Sequence, residues 1–247
     1  MSSIRVYREI LPAIDVSQMT EVDRLMVEEY HISLLQMMEN AGRCLAVLAR
    51  DRFLEGNPAG KRVMVLAGSG GNGGGALACA RRLHGWGAEV EVYIATAPEQ
   101  MKPESGHQLS ILERIGLSVR SGGELGATRG FDLIIDGIIG YNLAGDPEGL
   151  PKTMIEWANK SPIPTLSLDT PSGLDLTTGK IHSPTIKARA TLTLALPKKG
   201  LYAEEVLHLR GELYLGDIGV PPALYEEPSL ELKTGPIFCE SDVLRIE

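Results

Sequence analysis

The stretch that decides the fold runs Arg62-Val63-Met64-Val65-Leu66-Ala67-Gly68-Ser69-Gly70-Gly71-Asn72-Gly73-Gly74-Gly75-Ala76-Leu77-Ala78-Cys79-Ala80. A short run, apolar almost throughout (62–68), reads as a strand buried on both faces. It breaks into glycines, and a helical pattern follows over 76–87. Strand, glycine turn and helix in that order open a βαβ unit. Working downstream, the pattern repeats. Strands are predicted at 88–95, 117–121, 132–140, 164–173, 188–197 and 211–220, with helices at 104–116 and 150–160. Upstream, 20–31 and 33–54 read as helices. Ser33 is the N-cap of the second, and Leu34, Met37, Met38, Ala41, Leu45 and Leu48 recur along it at helical spacing. That stripe is expected to be core, and its methionines could offer a dimer face. Strands alternating with helices predict an α/β chain, a mostly parallel sheet covered on both faces.

Composition bounds the function. The 247 residues carry 24 Lys and Arg against 32 Asp and Glu, a net charge of −8. That argues against a nucleic-acid or anionic-membrane surface as the main business. No apolar run reaches the roughly 18–20 residues needed to cross a bilayer. The first residues place charges and prolines where a signal peptide needs an apolar block. Cys44, Cys79 and Cys239 form neither a zinc pattern nor a disulfide framework, and Cys79 reads as a residue packing a helix on the sheet. A cytoplasmic chain with no membrane or nucleic-acid partner is the expectation. No linker separates two compositions, so residues 1–247 read as one domain. His31, His84, His107, His182 and His208 fall in no ligand spacing and read as surface or helix histidines, and the segment 223–247 has no assignment.

In parallel sheets, ligands bind at the carboxyl ends of the strands, which selects three loops. The first holds G-x-G-x-x-G as Gly68, Gly70 and Gly73. Glycines let the backbone approach a ligand, and a helix N-terminus favours an anion such as phosphate. A nicotinamide-binding Rossmann site wants an acid about 20 residues on, at the tip of the second strand; here that strand ends Tyr93-Ile94-Ala95-Thr96. No Gly-Lys-Ser/Thr follows either, so a P-loop is excluded. The second loop follows Asp136, a carboxylate inside an apolar run, which must be paired, hydrogen-bonded or beside a cation. The third is Asp169-Thr170-Pro171-Ser172-Gly173, and Ser172 lacks the G-x-S-x-G frame of a nucleophile elbow.

Six segments in order resemble one family, the YjeF N-terminal domain proteins, which are NAD(P)H-hydrate epimerases. They are Met37-Met38-Glu39-Asn40-Ala41-Gly42, the glycine loop 68–76, Asp136-Gly137-Ile138-Ile139-Gly140, Asp169-Thr170-Pro171-Ser172-Gly173, Lys198-Lys199-Gly200, and the strand from Gly211 to Gly219. The resemblance covers about residues 17–222. It implies a Rossmann-like three-layer α/β/α sandwich, often dimeric, without the dehydratase half fused to many relatives. The implied activity is that of an isomerase, interconverting the R and S forms of hydrated NAD(P)H at C6 with a potassium ion at the site. Carried over by motif, the ion ligands are Asn72, Asp136 and Ser172. The substrate-binding residues are Gly71, Asn72, Gly73, Gly74, Gly75, Gly140, Tyr141, Asn142, Leu143, Ala144, Gly145, Asp146 and Asp169. Asp169 is the catalytic candidate. The ligand types suit a hard cation, and such a cation would explain a charged Asp136 in an apolar strand. Gly71 and Gly75 stand where the family has Asn and Asp, and Ala144 where a basic residue is common. A second reading, a catalytically impaired nucleotide-binding or scaffold protein on the same fold, therefore stands beside the enzyme.

Overall fold

The chain, seen in a computed structural model, is described over residues 4–126 and 130–247. The sheet is built outward in both directions from β2 (Arg62–Ala67), whose inner residues are buried. The chain then runs through α3 (Gly71–Gly85), β3 (Glu89–Ile94), α4 (Pro103–Arg114) and β4 (Val119–Ser121), each strand laid parallel outside the last. It next crosses back to the other side of β2. There β5 (Leu133–Gly137), β6 (Thr165–Leu168), β7 (Ala190–Leu194) and β8 (Glu212–Gly216) add in parallel, with α5 (Gly149–Lys160) joining β5 to β6. The order of strands reverses between β2 and β5. A crevice opens at the carboxyl ends of strands where such a reversal occurs.

Two helices precede the sheet. Helix α1 (Val16–Glu28) begins four residues before the predicted 20–31, because Asp15 and Gln18 form a reciprocal capping box. Helix α2 (Leu34–Leu48) starts at the predicted Ser33 cap, where Gln36 closes the same box, and runs on as a π-helical turn, Ala49–Phe53. The stripe on α2 divides. Leu45 and Leu48 are fully buried core, as expected. Met37 and Met38 are also buried. Helices α2 and α3 lie unusually close: a Cβ on Gly42 would sit 2.5 Å from the Ala78 Cβ. Around this contact Glu39 receives bonds from Arg81, Arg82 and Gln108, while the Asn40 amide donates to the Ile218 carbonyl at 3.2 Å. Cys79 is buried at this seam, and burial pushes its thiol well above the ordinary range.

The segment 223–247 supplies an element with no local signature. Strand β9 (Val243–Arg245) pairs antiparallel with β8, and the two-residue β1 (Arg5–Val6) pairs with β9, completing a nine-stranded sheet. One helix is longer than its sequence suggests. The glycine run is the first turn of α3 itself, which starts at Gly71 rather than 76. Among the described residues, no helix is long and apolar enough to cross a membrane.

Candidate functional site

A cavity of about 510 Å³ opens at the strand reversal, within the usual size range of small-molecule sites. Gly68 to Asn72 form one wall, Ile138 to Asn142 another, and Leu168 and Asp169 the floor. Leu34, Met37, Met38 and Ala41 of α2 close one side, so the front half of that stripe lines the cavity and is not merely core. The three loops selected from sequence therefore converge.

The glycines allow the convergence. A Cβ on Gly68 would lie 1.9 Å from the Ile138 carbonyl oxygen, and one on Gly73 would lie 1.8 Å from the Gly68 oxygen. Gly73, Gly74 and Gly75 are buried within α3 and do not line the cavity. Gly71 does line it, and a Cβ there would meet nothing within 4 Å. In the second stretch, Gly140, Tyr141 and Asn142 face the cavity, whereas Leu143, Ala144, Gly145 and Asp146 do not. Asp146 instead binds Nδ1 of His182 at 2.9 Å and the Ser183 N–H at 3.1 Å. His182 is buried and lies outside any helix, which corrects its reading as a surface or helix histidine.

Asp136 ends β5 fully buried, facing its cross-strand neighbour Ser167. Its carboxylate accepts from Ser167 Oγ at 2.7 Å, Ser172 Oγ at 2.6 Å, the Ser172 N–H at 3.0 Å and the Ile138 N–H at 3.2 Å. Each donor is neutral, and burial outweighs them, raising the Asp136 carboxyl above the ordinary range. Asn72 donates its amide nitrogen to the carbonyls of Leu168 at 2.7 Å and Ile139 at 3.3 Å. Ser172 Oγ accepts from the Ile139 N–H at 2.8 Å. Asn72, Asp136 and Ser172 thus form one connected cluster. A carboxylate, a hydroxyl and an amide oxygen suit a hard cation by type, and a buried carboxylate with only neutral donors lacks the positive charge such an ion carries. His, Cys, Asp and Glu do not gather in threes anywhere among the described residues.

Asp169 follows β6 with φ +62°, in the left-handed region that non-glycine residues seldom adopt. The Thr170 N–H reaches the Leu168 carbonyl at 2.7 Å, closing a tight γ-turn with Asp169 at its centre. Strain of this kind concentrates at functional sites. One carboxylate oxygen, Oδ1, collects the donors: Lys198 Nζ at 2.5 Å, and Thr193 Oγ1 and the Leu194 N–H at 3.3 Å. Lys198 is fully buried and also donates to the Leu194 carbonyl at 2.7 Å. Among the described residues no donor reaches Oδ2, leaving one oxygen of a cavity-lining carboxylate free to accept.

Two residues here escaped the reading of the sequence. Lys198 was visible only as part of a motif. Asp23 of α1 was not singled out, although its spacing of four from Met19 puts both on one helix face. Asp23 and Met19 line the cavity, and the Tyr141 hydroxyl donates to Asp23 Oδ2.

Fold and site together define a class: a doubly wound α/β protein with an acid-lined cavity at its strand reversal. The family described as "YjeF-related protein N-terminus" matches residues 34–200, and the chain belongs to that family. It is 41% identical over 235 residues to a protein of Dehalogenimonas lykanthroporepellens named NAD(P)H-hydrate epimerase, covering 94% of this chain and 91% of that one. It is 36% identical to the Moorella thermoacetica protein named bifunctional NAD(P)H-hydrate repair enzyme Nnr, over 85% of this chain but only 41% of that longer protein. The crystal structure of the yeast protein ynu0 superposes with a TM-score of 0.81 at 24% identity, over 96% of this chain and all of the other, and shows the same fold.

Proposed function

We propose that the chain is an NAD(P)H-hydrate epimerase, interconverting the R and S hydrates at C6 of the reduced nicotinamide ring. The observation that carries the reading is Asp169, a strained carboxylate in the cavity with one oxygen clamped by a buried lysine and the other free. The relatives' names support the substrate.

C6 of the hydrate bears a hydroxyl beside the ring nitrogen. Once that oxygen is protonated it departs as water, and the nitrogen lone pair forms an iminium. Water returning on the opposite face gives the other epimer. Asp169 Oδ2 accepts a proton from the attacking water, and Lys198 fixes the carboxylate's rotation from below. Cavity-side N–H groups at the start of α3 favour a phosphate of the substrate. Met37, Met38 and Ala41 exclude water from one side of the ring. Asn72, Asp136 and Ser172 would hold a potassium ion, which when bound supplies the positive charge that Asp136 lacks.

The test is direct. A mixture of R and S hydrate is incubated with an S-specific dehydratase, with and without this protein. Faster consumption of the R form is expected, and Asp169→Asn should remove about 10²-fold or more of the acceleration. Ligand binding without acceleration by the unaltered protein refutes the enzyme and favours the binding module.

A further inference from the structure

Epimerisation through loss and return of water needs two proton transfers: one group gives a proton to the departing oxygen, another takes a proton from the incoming water. Asp169 is built for the second task, since every donor it meets among the described residues converges on Oδ1. A second carboxyl in the same cavity has the opposite surroundings. Asp23 has no ion pair among the described residues, and its hydrogen-bond partner is the Tyr141 hydroxyl. Tyr141 keeps its own proton, because burial and the neighbouring Asp23 push its phenol far above the ordinary range.

We propose that Asp23 is the second proton-transferring carboxyl of this cavity, acting as the acid toward the C6 hydroxyl while Asp169 acts as the base toward water. The inference rests on the epimerase reading. In one direction the Asp23 proton passes to the C6 hydroxyl, the C6–O bond breaks, water leaves, and the nitrogen electron pair becomes the second bond of the iminium. Water then forms a new C6–O bond, that electron pair returns to nitrogen, and the water's proton passes to Asp169. The protein ends with Asp23 ionised and Asp169 protonated, the form that carries the reaction in reverse. Two carboxyls in contrasting environments are a recurring way to run acid and base chemistry in one site.

The environment of Asp23 agrees. Its burial favours the protonated form and outweighs the opposing influence of the Tyr141 hydroxyl and Lys198, while Asp169 pushes the same way as burial. Those three are the charged or titratable groups that act on it from the elements facing α1.

The experiment separates chemistry from scaffolding. In Asp23→Asn the amide oxygen still accepts the Tyr141 hydroxyl, so a purely structural Asp23 would be replaced without loss. The expected result is a kcat lower by about 10²-fold or more with KM within about threefold, an unchanged melting temperature, and loss of the alkaline limb of the kcat/KM profile. A kcat within about threefold of the parent, a loss confined to KM, or a retained alkaline limb overturns the proposal. If Asp23→Asn does not fold, Tyr141→Phe carries the test. It removes a bond that favours ionised Asp23, so the alkaline limb should move to higher pH; an unmoved limb overturns the proposal. Failure of the unaltered protein to accelerate R consumption refutes the epimerase reading instead, so the two failures are distinguishable.

Discussion

Lys198→Met tests the clamp beneath Asp169. The lysine is fully buried, with its ammonium 2.5 Å from Asp169 Oδ1 and 2.7 Å from the Leu194 carbonyl. Methionine has similar length and fills the channel but carries no charge. The variant leaves a carboxylate that is nearly inaccessible, with one N–H and one hydroxyl at 3.3 Å as its remaining partners. Removing one partner of a buried ion pair costs about 3–5 kcal/mol. At about 2–4 °C per kcal/mol for a chain of this size, the melting temperature should fall by roughly 6–20 °C. Adding Asp169→Asn removes the orphaned charge, so the double variant should recover at least about half of the loss. Urea titration at neutral pH, read by circular dichroism, supplies the free energies. A single-variant loss under about 1 kcal/mol, or a double variant no more stable than Lys198→Met, would refute the reasoning: the ion pair would then be incidental to both stability and placement.

Three further outcomes follow from the geometry. Gly71→Asn should be tolerated and Gly75→Asp should not: a Cβ at 71 has open space, whereas one at 75 meets Leu168 Cδ2 at 2.7 Å, an overpacking worth about 1–3 kcal/mol. Leu168→Ala should restore part of the Gly75→Asp loss, measured as melting temperature. Potassium in place of a bulky organic cation should raise the melting temperature of the parent, and Asp136→Asn should abolish that response; an equal response in the variant counts against the ion site. Finally, the Arg52 guanidinium, aided by the Tyr214 hydroxyl, holds Glu212 down to about 2, below its usual value near 4.5. A depressed carboxylate stabilises the fold above its unfolded pKa and loses that contribution as pH falls through the folded one. Arg52→Gln should therefore cost stability at pH 7 and little at pH 2, seen by comparing urea midpoints at the two values.

The succession of strands and helices was legible because buried parallel strands and amphipathic helices leave different periods in the chain, and the convergence of Gly68, Asp136 and Asp169 followed from where parallel strands end. The boundaries that slipped have physical reasons. Helix α3 starts at Gly71 although glycine is a poor helix former, because its first turn packs where a Cβ cannot fit: one on Gly73 would lie 1.8 Å from the Gly68 carbonyl oxygen. The strand Val243–Arg245 carries no local pattern, since its pairing comes wholly from distant partners. Asp23 and Lys198 look like ordinary charges on paper. Only assembly shows one beside Tyr141 and the other under Asp169. Conversely, Asp136 does not need an ion to satisfy its hydrogen-bonding capacity, because Ser167 and Ser172 do so from within the chain; what it lacks is a counter-charge.

The sheet thins toward both margins: β4 is three residues long, and the other side tapers through β9, also three residues, to the two of β1. Short outermost strands offer another molecule too little backbone to pair with, and so discourage edge-to-edge growth. The five-residue β8 just inside would make a far better template. Clipping the chain ahead of Val243 would bare that row of amides and carbonyls, and the expected consequence is self-association at high concentration even with every cavity-lining residue left in place.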